Sequence, residues 1–494
     1  MNLIEPILYQ CKLSPFATAI ATPGSGINAI KYGQLESLIH NLARAAIGAG
    51  LTPRDVAAIY ISDSILHAIV VCGLIRIGVV TMSLGDASLP EGIAVNAVLT
   101  DTPHLFAEVD NLFGVSAAWL HGDGRPLDYE RIYHSREDDT CCICLTSGST
   151  GRRKGVALTH AMLAGRSSHY GYSKGRSFAH MSRLYCSFGI STTPGYTYMF
   201  YVLSHGGTVY FSGTDIAAFL QFAAPYKIQG LVASPYNLDG LLKFYEADPT
   251  LESTYEVIIC QGARLSRELA DRVRSRMCSN LFTSYGSTET ATCVFGPTEI
   301  TTRVPGAVGF VCPGYSVDVV DKNGAVVPAG QQGSVRIRSP YAARSYLGDE
   351  ESSAQMFRDG AFYIGDRGYL TPEGLLVITG REKTALLVSG DSIAPEIIEE
   401  VLCGFPGVGQ AAACTLDDPL GISSVCALIV SPMAIDDAAL RTYCENNLRT
   451  VFVPARFIPV DAIPRGGQGK IDRPRVVELA KAALRQGPEP GDQQ

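Results

Sequence analysis

Short apolar runs alternate with helical patterns through most of this chain, and that alternation limits its fold more than any other feature. Asp55–Ile61 reads as a strand, Ser64–Arg76 as an amphipathic helix and Gly78–Met82 as the next strand. The same order recurs where Tyr255–Cys260 precedes Ser266–Cys278, whose Leu269, Val273 and Met277 fall at helical spacing. Strand–helix alternation predicts parallel α/β sheets. Past about residue 300 the pattern shifts to shorter strands separated by Gly and Pro turns. There Asn323-Gly324 is a hairpin signal, and the segment reads as a β-rich subdomain. From about Lys383 the chain returns to mixed α/β, and its last residues, Gln486–Gln494, are polar and Pro/Gly-rich and predict disorder.

Composition removes several function classes. Hydrophobic residues make up 46% of the 494, enough for a large core, and 50 are glycine, which suits tight turns and close backbone approach to a ligand. Lys+Arg 40 against Asp+Glu 48 leaves a net charge of −8 and no basic run, which argues against a nucleic-acid partner. The longest apolar stretches, such as Ala68–Ile75, fall far short of the ~18 residues a membrane helix needs. Glu5 and Pro6 interrupt any signal-peptide layout, so a soluble, cytoplasmic enzyme is expected. The 14 cysteines sit mostly in apolar contexts; Cys141 and Cys144 form a CxxC, but within a run that reads as a buried strand. The nine histidines form no ligand pair, so no Cys- or His-based metal site is expected.

The strongest local signal is Leu145–Gly155, LTSGSTGRRKG. An apolar strand enters a loop of glycines and hydroxyl residues that ends in cations, then passes through Val156 into a helix-like stretch. Backbone N–H groups and hydroxyls would cradle an anion while Lys154 supplies charge. It is not a Walker loop, which ends Gly-Lys-Ser/Thr. Gly24–Ala29 (GSGINA) matches a dinucleotide fingerprint only superficially, since Pro23 precedes it and no acidic residue follows at the required distance. No serine lies in a GxSxG elbow. Four further segments carry chemistry: Ser284–Thr290 (SYGSTET), Tyr363–Leu370 (YIGDRGYL), Ile378–Leu402, and the glycine-rich Ile463–Arg473 with Lys470.

In this order the five segments resemble the adenylate-forming superfamily: acyl- and aryl-CoA synthetases, stand-alone adenylation enzymes and luciferase-like ligases. The resemblance runs from about Ala29 to Lys470. It implies a large N-terminal domain of stacked mixed α/β sheets (1–382, β-rich from about 300), a small hinged C-terminal α+β domain (383–485) and the tail 486–494. It also implies ATP, Mg²⁺ and a thiol cosubstrate. Thr146, Ser147, Gly148, Ser149, Thr150 and Gly151 would wrap the β- and γ-phosphates with Lys154 alongside. Arg153 stands where the family usually has proline, implying a less rigid loop and an extra cation. Tyr285 would stack near adenine beside Gly286, with Gly262 and Ala263 on the same nucleotide face. Thr288 would contact the α-phosphate, Glu289 would ligate Mg²⁺, and Asp366 and Arg381 would hold the ribose, although Ile364 replaces the usual threonine. Lys383 matches the hinge and Gly390 the pantetheine path. Lys470 matches the lysine that bridges carboxylate and phosphate during adenylation.

The segment Arg183–Tyr201 corresponds to the acyl pocket and holds no Asp or Glu. A buried α-ammonium would lack a partner there, which disfavours amino acids. Cys186, Phe188, Gly189 and Gln261 are the pocket candidates. Phe188-Gly189 and the aromatics that follow resemble benzoate-type aryl-CoA ligases, so a compact aromatic or short unsaturated acid is expected. The acceptor is CoA or the phosphopantetheine of a separate carrier protein.

Overall fold

A computed structural model describes residues 1–22, 28–128, 131–136, 138–146, 153–173, 181–211, 219–220, 226–381, 386–388, 391–417, 423–466 and 469–486. Among them, no helix is long and apolar enough to cross a membrane. Two sheets dominate the large N-terminal portion. The first has six strands in the spatial order Leu112–Gly114, Ala97–Thr100, Val56–Tyr60, Val80–Ser83, Thr140–Thr146, Lys154–Thr159. All neighbours pair in parallel except the last two, which form an antiparallel ladder.

The second sheet has 14 strands among the described residues. Its parallel half runs Thr18–Ala21, Thr208–Tyr210, Arg183–Cys186, Gly230–Ala233, Val257–Gln261, Leu281–Ser287. Every residue of Gly230–Ala233 and Val257–Gln261 is buried, which is why these strands read as unbroken apolar runs. From Ala291–Pro297 onward the sheet is antiparallel, and the strand Ala307–Val311 pairs directly with it. The β-rich part is thus continuous with the main sheet. At Asn323-Gly324 the turn closes on a single bridge, Val320 to Val326, and the ladder partner of Ser316–Val320 is the later strand Gly333–Arg338.

Ser64–Arg76 is a helix over those residues, with Asp63 accepting the Leu66 N–H at 2.7 Å as its N-cap. It is buried on nearly all sides rather than amphipathic, because it packs inside the main core beside the helix Tyr32–Gly48. Cys141 to Cys144 lie buried in the strand Thr140–Thr146.

The C-terminal domain is small and separate. Strands Gln410–Asp417, Ser423–Val430 and Arg456–Pro459 form its sheet. Helices Pro395–Cys403 and Asp437–Asn447 bury Ile398, Leu402, Leu440 and Cys444 in one core. Helix Arg473–Gln486 contributes Val476 and Ala480 to a second, with Ala412 and Leu428. Each core belongs to this domain alone.

Candidate active site

The site gathers where the two domains meet at the ends of the central strands. Among its candidates, Asp366 and Arg381 come from neighbouring strands of the larger sheet, and Tyr285 comes from Leu281–Ser287, with the strands Ala307–Val311 and Ala291–Pro297 between. Asp366 and Arg381 face one another in the ladder between Ala361–Leu370 and Leu375–Arg381, and Arg381 Nε donates to Asp366 Oδ1 at 3.0 Å. Tyr285 Oη donates to Asp366 Oδ2 at 2.7 Å. Burial raises the Asp366 carboxyl above its ordinary value, while Arg381 and the Tyr285 hydroxyl oppose the shift. The same burial, with the Asp366 charge, pushes the Tyr285 phenol well up, so it stays a donor. Each Asp366 oxygen keeps a further lone pair for hydroxyl donors. Ile364 packs into the main core instead of offering a hydroxyl.

Gly286 fixes the next turn. A Cβ at this position would lie 1.8 Å from the Ala291 carbonyl oxygen, and the hairpin register shifts between Tyr285 and Gly286. Only glycine permits this bulge, which aims Thr288 and Glu289 out of the ladder. Thr193 Oγ1, in the first turn of helix Thr193–Ser204, donates to Thr288 Oγ1 at 3.1 Å.

Glu289 is buried. Tyr346 Oη donates to its Oε1 at 2.6 Å, and Oε2 has no partner among the described residues. Burial and the Glu289 charge raise the Tyr346 phenol far above its usual value, keeping its proton on this bond. Lys154 Nζ lies 4.8 Å from the centroid of the Tyr346 ring, 2.5 Å from Ser352 Oγ and 3.5 Å from Asp349 Oδ2. One carboxylate with a free oxygen, steadied by a phenol, fits a single Mg²⁺ ligand. Replacing Tyr346 by Phe should raise the Mg²⁺ concentration for half-maximal activity about tenfold with little change in ATP affinity. A Mg²⁺ titration of the variant checks this.

Sequence reasoning missed Arg166. It sits in helix His160–Ser173 with no solvent exposure. Its Nε and Nη2 donate to the Tyr341 carbonyl at 3.0 and 2.9 Å, Nη1 donates to the Thr288 carbonyl at 3.2 Å and Nη2 to the Glu289 carbonyl at 2.8 Å. No carboxylate pairs it among the described residues. A lone arginine between Gly165 and Ser167 reads as solvated in sequence, and only the fold brings to it a carbonyl 123 positions away.

Lys470 enters from the C-terminal domain, and its ammonium makes no hydrogen bond or ion pair among the described residues. Solvent still reaches it, yet surrounding protein desolvates the ammonium and lowers its pKa, with Arg381 adding to the shift and Glu289 and Asp366 opposing it. The lysine therefore shares a field with the buried carboxylates of the large domain.

On the acyl side, the Phe188 ring stands 3.7 Å from where a Gly262 Cβ would be. Gly262 and Ala263 are exposed. Gln261 is buried, and its carboxamide has no partner among the described residues. The Gly189 carbonyl accepts from Thr192 Oγ1 at 2.8 Å. Cys186 is fully buried, its thiol pushed up to about 12 by burial. Tyr196, Tyr198 and Phe200 lie in the core, with Tyr196 Oη and Thr81 Oγ1 2.9 Å apart. So Phe188 lies beside Gly262 and Thr193 bonds Thr288, while Tyr196, Tyr198 and Phe200 are packing.

Several expectations change. Lys154–Thr159 is a strand antiparallel to Thr140–Thr146, and the helix begins only at His160. The Arg153 guanidinium pairs with Asp86 and adds no free cation. Ser147, Gly148, Ser149, Thr150, Gly151, Lys383 and Gly390 lie outside the described residues; Thr146 ends its strand opposite Lys154.

A family model described as AMP-binding enzyme matches residues 9–347, and one described as AMP-binding enzyme C-terminal domain matches 397–470. The chain is 23% identical over 519 residues to a 4-chlorobenzoate–CoA ligase of Arthrobacter sp, covering 99% of this chain and 97% of the relative. It is 27% identical over 492 residues to a feruloyl-CoA synthase of Amycolatopsis sp, covering 94% and 96%. The solved amide bond synthetase McbA from Marinactinospora thermotolerans matches with a TM-score of 0.85 at 22% identity, covering 97% and 99%, which shows a shared fold.

Proposed function

Because the chain belongs to the AMP-binding enzyme family, we propose that it activates a carboxylic acid with ATP and passes the acyl group to a thiol. The carboxylate oxygen attacks the α-phosphorus, forming an acyl-AMP and releasing pyrophosphate; thiol attack then releases AMP. A free carboxylate is a poor acyl donor because its leaving group would be oxide, and adenylation supplies a good one.

What supports this reading is the Asp366 carboxylate held by Tyr285 and Arg381 and the buried Glu289 held at one oxygen by Tyr346, with Gly469, the residue before Lys470, packed on Tyr236 of the large domain. Two anions must meet, so cations and a metal have to offset their repulsion and the charge that develops in line. Lys470 bridges the carboxylate and α-phosphate, Thr288 donates to the phosphate, and Arg381 and Asp366 hold the ribose. Mg²⁺ on Glu289 would neutralise phosphate charge. CoA is the acceptor that fits the reading best, and a carrier-protein thiol is the alternative. The acid is aryl or short acyl, lying between Phe188 and Gln261.

A pH dependence follows from the two shifted groups. Lys470 is cationic below its lowered pKa, so adenylation should fall on the alkaline side earlier than an ordinary lysine would dictate. Asp366, raised, should set the acid limb above the usual carboxylate range. A pH profile of pyrophosphate exchange in wild type and Lys470→Arg checks both limbs: the alkaline limb moves up in the variant and the acid limb stays.

The test of function is acid-dependent ATP–pyrophosphate exchange over benzoates, cinnamates, short fatty acids and amino acids, followed by CoA. Exchange with an aryl acid and a CoA thioester product supports the reading. Exchange without CoA transfer directs attention to a carrier protein, and exchange only with amino acids overturns the acid assignment.

A further inference from the structure

Lys470 rides on a tight turn whose outer face touches the large domain. Gly466 N donates to the Lys470 carbonyl at 2.8 Å, Gly469 N to the Gly466 carbonyl at 2.9 Å, and Arg465 bridges Ile471. Gly469 has φ +74°, and a Cβ there would lie 2.8 Å from the Tyr236 ring. A side chain at this position is thus excluded twice, by backbone conformation and by the neighbour.

Tyr236 opens the large-domain helix Pro235–Ala247 and is about half exposed. The Arg465 guanidinium lies over its ring, 5.2 Å from the centroid. Arg465 also holds the turn from within, donating through Nη1 to the Gly469 carbonyl at 2.8 Å and through Nη2 to Gln410 Oε1 at 3.0 Å. One guanidinium therefore rigidifies the lysine turn and stacks it on the other domain. The next residue, Asn237, donates through Nδ2 to Ser187 Oγ at 3.1 Å, immediately before Phe188. The Arg264–Glu400 ion pair crosses the same boundary.

We propose that Tyr236 and Arg465 are positioning residues: a latch that docks the Lys470 turn and holds the closed, acyl-AMP-forming arrangement. The latch rests on the adenylation reading of Lys470. Its strength is that of one cation–π contact and one ring packed on a glycine, weak enough to open in every cycle. Acid seated against Phe188 has a short path to it through Ser187 and Asn237.

The test uses the full chain with Tyr236→Ala, Tyr236→Phe and Arg465→Lys. With Mg·ATP as the only probe, hydrogen–deuterium exchange across 463–472 should rise roughly fivefold in Tyr236→Ala, stay at the wild-type rate in Tyr236→Phe, and leave strand Gln410–Asp417 unaltered. With whichever acid supports wild-type pyrophosphate exchange, Tyr236→Ala should lower that exchange roughly fivefold while conversion of supplied acyl-adenylate to thioester does not slow. Arg465→Lys, which keeps the charge and loses the fork, should fall between. Wild-type deuterium exchange in Tyr236→Ala, or equal losses in both half-reactions, overturns the latch. A wild-type protein inert to every acid would instead overturn the functional reading, and the deuterium measurement would still decide the latch.

Discussion

Lys470→Ala should lower acid-dependent pyrophosphate exchange by about a thousandfold while ATP affinity changes less than about twofold. The reason is positional. The Lys470 ammonium is held by no hydrogen-bond or ion-pair partner among the described residues, so in the proposed role its charge is free for the reacting anions. The contacts proposed for ATP with Tyr285, Asp366 and Arg381 do not involve Lys470, so binding should survive in the variant while the step that joins two anions should not. Thioester formation from supplied acyl-adenylate should persist, because that step needs no carboxylate–phosphate bridge. Undiminished exchange in Lys470→Ala would remove the lysine from the chemistry.

Arg166→Met should cost about 3 kcal/mol of stability and at least about a hundredfold in adenylation. Removing the guanidinium strips hydrogen bonds from three carbonyls, those of Tyr341, Thr288 and Glu289, in a place water does not reach. Two of those carbonyls belong to Thr288 and Glu289, the residues proposed to meet phosphate and metal, so that turn should shift. Arg166→Lys separates charge from geometry: an ammonium keeps the cation but has no planar fork to span three acceptors. It should recover part of the thermal stability and little of the activity. Thermal unfolding and a Mg²⁺ titration on both variants decide it, and a Met variant with wild-type unfolding and metal response would end the argument.

These two residues mark the reach of sequence reasoning here. Lys470 can be singled out in the sequence because it closes an ordered set of motifs, each odd in composition, and its role is the one proposed above. Arg166 is not, since its meaning lies in contacts 122 to 175 positions away. Tyr346 escapes for the same reason, its bond to Glu289 spanning 57 residues. The parallel strands are plain because burial on both faces leaves an unbroken apolar run, as in Val257–Gln261. The segment Lys154–Thr159 reads toward helix because it leads without a turn residue into one, and its ladder with Thr140–Thr146 is a tertiary fact. Tyr196, Tyr198 and Phe200 look alike whether they line a pocket or fill a core; the helix that carries them is enclosed, so they fill it.

The two private cores of the C-terminal domain mean that its fold does not depend on the rest of the chain. What the rest of the chain supplies is nearness. A linker of a few residues keeps the small domain at an effective concentration of order millimolar beside the cleft. Cut between Arg381 and Leu386, the chain would become two folded pieces that must find each other by diffusion. Among the described residues the boundary is crossed by Tyr236 against Arg465 and Gly469, by the Arg264–Glu400 ion pair and by Gly380 against Ala394, and the peptide tether keeps these contacts within reach of one another.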